Sequence, residues 1–139
     1  MTENYKILEK YVKDLSSETP DLETYLFVKD QITRYQLHID IKTKPLKNNL
    51  IETNTIFRFE DKNGSKKKSY FEIIYATVIK INENIKNKEE LEKIILYDVE
   101  KEIYPELEKT LLNLLHNSGY PNINFDKKVD FEKLYNDRI

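Results

Sequence analysis

Two hydrophobic periods divide this chain near residue 81. Before it, apolar residues tend to recur at every second position, the period of a strand with one buried face. Tyr35, Leu37, Ile39 and Ile41 share one side of a strand over Tyr35 to Lys42, with Gln36, His38, Asp40 and Lys42 on the other. Ile51 to Glu60 forms the next, with Phe57 and Phe59 on the side of Ile51. Ser69 to Ile81 carries Phe71, Ile73, Tyr75, Ile79 and Ile81 on one side. Its other side, Tyr70, Glu72, Ile74, Ala76 and Val78, is also mostly apolar. A strand apolar on both faces is usually buried on both. In so small a chain, a partner subunit or another bound polypeptide would cover one of them. Tyr11 to Glu18 alternates more loosely. Tyr11, Leu15 and Ser17 face one way; Val12, Asp14, Ser16 and Glu18 face the other. Tyr5-Lys6-Ile7-Leu8 reads as a frayed lead-in. Tyr25-Leu26-Phe27-Val28 reads as a short apolar run inside a connection.

After the polar break Asn82 to Asn87 the period lengthens. Lys88 to Leu96 reads as helix through Leu91, Ile94 and Ile95, and Tyr97 to Glu102 either continues it or breaks it before Pro105. Leu107, Leu111, Leu114 and Leu115 form one apolar stripe of a further helix. Pro105 suits its first turn, where a missing N–H costs nothing. Gly119 suits its left-handed end, and Pro121 stops resumption. Tyr120 to Phe125 is an extended apolar crossing, and Asp130 an N-cap for a short last helix. Pro45 with Asn48-Asn49 predicts one loop, and Asp61-Lys62-Asn63-Gly64-Ser65 a hairpin turn. Strands followed by helices predict an α+β fold: a four-stranded antiparallel sheet followed by a C-terminal helix layer, in one domain over residues 1–139.

Composition narrows the chemistry. Lys and Arg number 23 against 25 Asp and Glu, a formal charge of −2, so no basic excess points to nucleic acid. Cysteine is absent, which removes disulfides, thiolate metal sites and cysteine nucleophiles. The two glycines, Gly64 and Gly119, leave no phosphate-binding loop. His38 and His116 make no metal motif and stand in no recognisable catalytic spacing, so neither catalysis nor a cofactor is expected. Lys66-Lys67-Lys68 reads as a solvated hairpin arm. No apolar run approaches about 18 residues, so membrane insertion is not expected. The first residues lack the apolar core of a signal peptide, and a cytoplasmic location follows as the expectation.

The order of motifs resembles the bacterial preprotein-export chaperone family SecB. The resemblance runs from about residue 5 to residue 135. It is carried by Tyr11-Val12-Lys13-Asp14-Leu15-Ser16-Ser17-Glu18-Thr19-Pro20, then Phe27-Val28-Lys29-Asp30 and Tyr70-Phe71-Glu72-Ile73. Tyr104-Pro105, Gly119-Tyr120-Pro121 and Asp130-Phe131-Glu132-Lys133-Leu134-Tyr135 complete it. Departures are local. Gln31 and Thr33 stand where the family has Trp and often Pro. Ala76-Thr77 replaces a paired glycine, and Asp126-Lys127-Lys128 replaces a Pro-containing linker. The chain is also nearly neutral where family members are strongly acidic, which implies weaker long-range attraction to a basic partner.

The resemblance implies a holdase that binds unfolded preproteins without ATP and delivers them to the export motor SecA. It implies a homotetramer, a dimer of dimers. Positions matching Asp14, Glu18, Tyr70 and Glu72 contribute in that family to an exposed face that docks SecA. Clients are held in an apolar groove between sheet and helices. Tyr25, Phe27, Tyr97 and Tyr120 are the groove candidates, because they lie at segment ends where core packing is least obliged. Three rivals stand beside this reading: a SecB-like chaperone dedicated to one antitoxin, a passive oligomeric adaptor and a small enzyme.

Overall fold

Four antiparallel strands, Tyr5–Glu18 (β1), Tyr35–Pro45 (β2), Leu50–Asp61 (β3) and Tyr70–Ile81 (β4), form one sheet in the order β1-β4-β3-β2. The computed structural model describes residues 4–61, 66–121, 123 and 129–138. The hairpin turn expected at Asp61 to Ser65 falls outside these from Lys62 onward, as do Asn122, Asn124 and Phe125 of the crossing from Tyr120 to Phe125. The β2–β3 turn is described. Asn48 and Asn49 have φ of 62° and 61°, and the Leu50 N–H donates to Lys47 O at 3.3 Å. Positive φ at both central residues makes this a type I′ turn, whose twist matches the strands it joins.

The alternation in β2, β3 and β4 is as the sequence predicts. Phe57, Phe59, Phe71, Ile73 and Tyr75 pack on the face that carries the helices. The first strand differs in two ways. It begins at Tyr5, so the lead-in is paired sheet, Tyr5 opposite Ile81 and Ile7 opposite Ile79. Its register also shifts between Val12 and Asp14, leaving Lys13 as the extra residue of a bulge. One extra residue flips the faces upstream. Tyr11 therefore lies opposite Ala76 on the outer face, and Val12 opposite Tyr75 on the helix face.

Leu22–Gln31 (α1) is a helix, where the apolar run Tyr25-Leu26-Phe27-Val28 predicts only a connection. Asp21 caps it, accepting from the Thr24 N–H at 2.7 Å. Thr24 and Val28, four residues apart, are its buried side. A second helix begins at Lys88–Lys93 (α2), capped by Asn87, and runs through a π-turn at Ile94–Asp98 into Val99–Asn117 (α3). Pro105 thus sits inside a helix rather than opening one. Pro105 and Lys101, one turn earlier, are both exposed, so water can reach the carbonyl that the missing N–H leaves free.

The π-turn falls inside a long apolar row. Leu91, Ile95, Val99, Ile103, Leu107, Leu111 and Leu115 repeat every fourth residue. In a straight α-helix such a row precesses by about 40° per step. The wider i→i+5 turn takes back part of that drift between Ile95 and Val99. All but Leu91 are buried. Gly119 ends α3 with φ 105° in a Schellman arrangement, Tyr120 N–H to Leu115 O at 3.0 Å and Gly119 N–H to His116 O at 3.2 Å. Phe131–Arg138 (α4) is capped by Asp130 through the Lys133 N–H at 3.1 Å, and its Phe131 meets Tyr104 edge-on at 5.4 Å.

Candidate functional site

The outer face of the sheet carries no helix among the described residues. The β1–β4 register brings the docking candidates together there. Glu18 lies opposite Tyr70, Ser16 opposite Glu72, and Asp14 opposite Ile74. Asp14 and Glu18 are exposed at the β1 edge. Glu72 is nearly buried and already partnered. Arg58, directly opposite on β3, donates from Nε to Glu72 Oε2 at 2.9 Å, and the Tyr70 hydroxyl donates to the same oxygen. Burial alone would push the Glu72 carboxyl up, but the hydrogen bonds from Tyr70 and Arg58 outweigh it and hold the group below its ordinary value.

The outer side of β4 is covered in part by the chain's own side chains, while Tyr70 stays exposed and Ile74 and Val78 half-buried. The bulge turns Lys13 across β4 to Glu52 and Asn54 on β3, at 3.1 and 3.4 Å. Hydrogen bonds from Asn54 and Lys13 lower the Glu52 carboxyl. Ala76, paired with Asn54 in the row beneath this bridge, is fully buried, and Ile56 nearly so. Sequence reading missed Lys13 and Arg58, because both act through cross-strand register, which alternation alone does not supply.

The groove candidates do not line one surface. Tyr120 is core, against Phe71 at 5.8 Å and Tyr25 at 5.3 Å. Tyr25 is half-buried, and its hydroxyl donates to Gly119 O at 2.7 Å. Tyr97 lies at the far end, where Lys101 Nζ stands 5.3 Å from its ring centroid, in a cleft of about 370 Å3 shared with Tyr5, Asp98 and Glu102. Phe27 alone belongs to an open apolar face. It is 36% exposed, and its neighbours Leu22 and Leu26 are 71% and 51% exposed.

Further apolar surface lies at the two sheet edges. On β1, Leu8, Tyr11, Val12 and Leu15 are all exposed. On β2, Leu37, Ile39 and Ile41 point towards the helix layer and line two clefts. One, of about 370 Å3, is closed by Val129, Lys133 and Leu134; the other, of about 390 Å3, by Glu92, Ile95 and Leu96. The β2 edge is partly blunted. Asp40 accepts from the Ile41 N–H at 2.9 Å, and Pro45 has none to offer. His38 is exposed on the outer face, and His116 Nε2 lies 3.4 Å from Ile123 O. Among the described residues, no cluster of three or more His, Cys, Asp or Glu could hold a metal ion, and no helix is long and apolar enough to cross a membrane.

Comparison with known proteins decides the family. The family described as "Preprotein translocase subunit SecB" matches residues 1–139. The chain belongs to the SecB family. A SecB-named relative from Pelagibacter ubique (strain HTCC1062) is 55% identical over 138 residues, 99% of each chain. The protein-export protein SecB of Bradyrhizobium sp. (strain BTAi1) is 25% identical over 129 residues, 93% of this chain and 78% of that one. In three dimensions the chain is similar to the SecB-like chaperone of Mycobacterium tuberculosis, solved with a ChAD peptide from the HigA1 antitoxin. The TM-score is 0.64, with 10% identity over 90% of this chain and 91% of that one. That likeness speaks to the SecB-like chaperone fold and not to the peptide. The α+β class and the four-stranded sheet expected from the sequence are those of this family.

Proposed function

We propose that the chain is an ATP-independent holdase that binds unfolded preproteins in the cytoplasm and delivers them to SecA, working as a homotetramer without an enzymatic step. What carries the reading is where apolar surface remains uncovered. Leu22, Leu26 and Phe27 on α1, with the β2 clefts, offer separate apolar subsites to an extended chain. Each buried Leu-sized side chain of a client contributes ~1.5–3 kcal/mol before ordering costs. Several weak subsites on one long client then add through effective concentration.

The β1 edge serves subunit contact. It is a 14-residue edge strand with exposed Val12 and Leu15 on the helix side. A long apolar edge of this kind invites pairing with another strand. SecA docking is assigned to Asp14, Glu18, Tyr70 and Glu72 on the outer face. Support for this comes from their shared face and from the family.

The test is light scattering from a denatured preprotein diluted into buffer with the chain and without nucleotide. The expected result is stoichiometric suppression of aggregation, unchanged by adding ATP. Unimpeded aggregation would leave the passive adaptor as the better description. The antitoxin-dedicated reading draws only on a fold likeness and is not favoured.

A further inference from the structure

The face of the sheet beneath the helices is apolar at both ends and polar in the middle. Passing along the β3–β4 pair, the rows are Phe59 with Phe71, Phe57 with Ile73, Thr55 with Tyr75, Thr53 with Thr77, and Ile51 with Ile79. The threonine row separates two apolar clusters, one around Phe57, Tyr75 and Ile103, the other around Ile79, Ile95 and Val99. Above it, Glu100 of α3 is fully buried, and the Thr55 hydroxyl lies 2.6 and 2.8 Å from its two carboxyl oxygens.

Thr53 and Thr77 are both completely buried, and neither hydroxyl has a hydrogen-bond partner in the protein. They stand directly opposite each other on adjacent strands yet do not bond to one another. A buried hydroxyl left without a partner forfeits its hydration at a substantial cost, and buried polar groups are satisfied nearly always. A water molecule is retained inside a protein where two to four polar groups converge. Thr53 and Thr77 supply two such groups in one row, next to Thr55 and its carboxyl partner.

We propose that Thr53 and Thr77 bind an internal water molecule that bridges their hydroxyls in the seam between the two apolar clusters. The site's ligand is water, held by donors and acceptors supplied from the sheet. The reading is independent of the chaperone assignment.

Thr53→Val, Thr77→Val and the double variant test it in the full chain, by urea denaturation at neutral pH. Valine keeps nearly the same shape and removes only the hydroxyl. With a bridging water, each single variant lowers the folding equilibrium constant about fivefold to tenfold, because the remaining hydroxyl loses its partner as well. The double variant then costs less than the two singles combined. Dry hydroxyls give the opposite sign, each valine raising the constant and the two effects adding. Oxygen-17 relaxation dispersion of water supplies a readout that does not depend on stability. One long-lived water signal lost in the double variant supports the site; a wild-type signal that the double variant retains in full, or no such signal at all, overturns it.

Discussion

The Tyr25 hydroxyl donates to the Gly119 carbonyl at 2.7 Å, and a Cβ placed on Gly119 would stand only 2.6 Å from Tyr25 Cε1. The end of α3 and the middle of α1, 94 residues apart in sequence, are thus fastened at a point that only glycine fits. Gly119 also holds φ 105°, which an L side chain resists.

Gly119→Ala is therefore expected to destabilise the chain by about 2–4 kcal/mol, from backbone strain and the clash together. Tyr25→Phe removes only the hydrogen bond and costs about 1 kcal/mol. Combining Gly119→Ala with Tyr25→Ala relieves the clash, so the double variant is less damaged than the singles added together. Urea midpoints of wild type, the three single variants, Tyr25→Ala included, and the double variant measure this directly.

Arg58 already occupies the Glu72 carboxylate, at 2.9 Å. A cation on a docking partner must therefore compete with it. Asp14→Lys with Glu72→Lys should weaken SecA binding at low salt about tenfold or more, equivalent to ~1.4 kcal/mol, with the tetramer left intact. Arg58→Gln should strengthen it a few-fold. Calorimetric titration with SecA checks both signs, and unchanged affinity in both would remove the face from the docking assignment.

The same triad sets an acid limit on stability. The Glu72 carboxyl titrates below its ordinary value of 4.5 in the folded chain. A carboxyl with a lowered folded pKa adds stability above its unfolded value, and that stability is lost as pH falls through the folded one. Wild type should exceed Glu72→Gln by about 1 kcal/mol at pH 6, and the two should converge below the ordinary glutamate value. On the alkaline side, burial and then the hydrogen bond to Glu106 push the Tyr75 hydroxyl up to about 12. Its contribution is complete below pH 10 and lost as pH rises towards that value. Denaturation midpoints from pH 3 to 11 follow both limbs.

Asp40 and Pro45 guard the β2 edge. Asp40→Ala frees the Ile41 N–H, and Pro45→Thr adds a donor beyond it. The double variant should self-associate at concentrations where wild type keeps its mass, with stability changed by less than about 1 kcal/mol. Sedimentation velocity distinguishes this from simple unfolding.

The strands were legible because β2, β3 and β4 keep one side on the helices and obey a strict two-residue period. β1 was misread upstream of Lys13, since a bulge changes register without marking the composition. α1 was missed because Tyr25, Leu26, Phe27 and Val28 are contiguous, and a helix buried only at Thr24 and Val28 leaves no broad apolar stripe. Pro105 suits a helix start by its missing N–H, yet inside α3 its cost is moderated by lying on the solvent side. The docking candidates shared a face as their parity required, because Asp14 and Glu18 both follow the bulge. The groove candidates scattered, because Tyr25 and Tyr120 were recruited to hold α1 against the end of α3. The open apolar positions were instead Leu22 and Leu26, which in sequence look like ordinary core residues.

We propose that uncovered apolar surface on β1, α1 and the β2 edge is shared between sister subunits and unfolded polypeptides. Size-exclusion chromatography with light scattering, run with and without a denatured preprotein and with its folded form, decides this. The expected result is a particle of four 16.7 kDa chains that co-elutes with the denatured preprotein and ignores the folded one. A monomer that passes both forms unbound would contradict it.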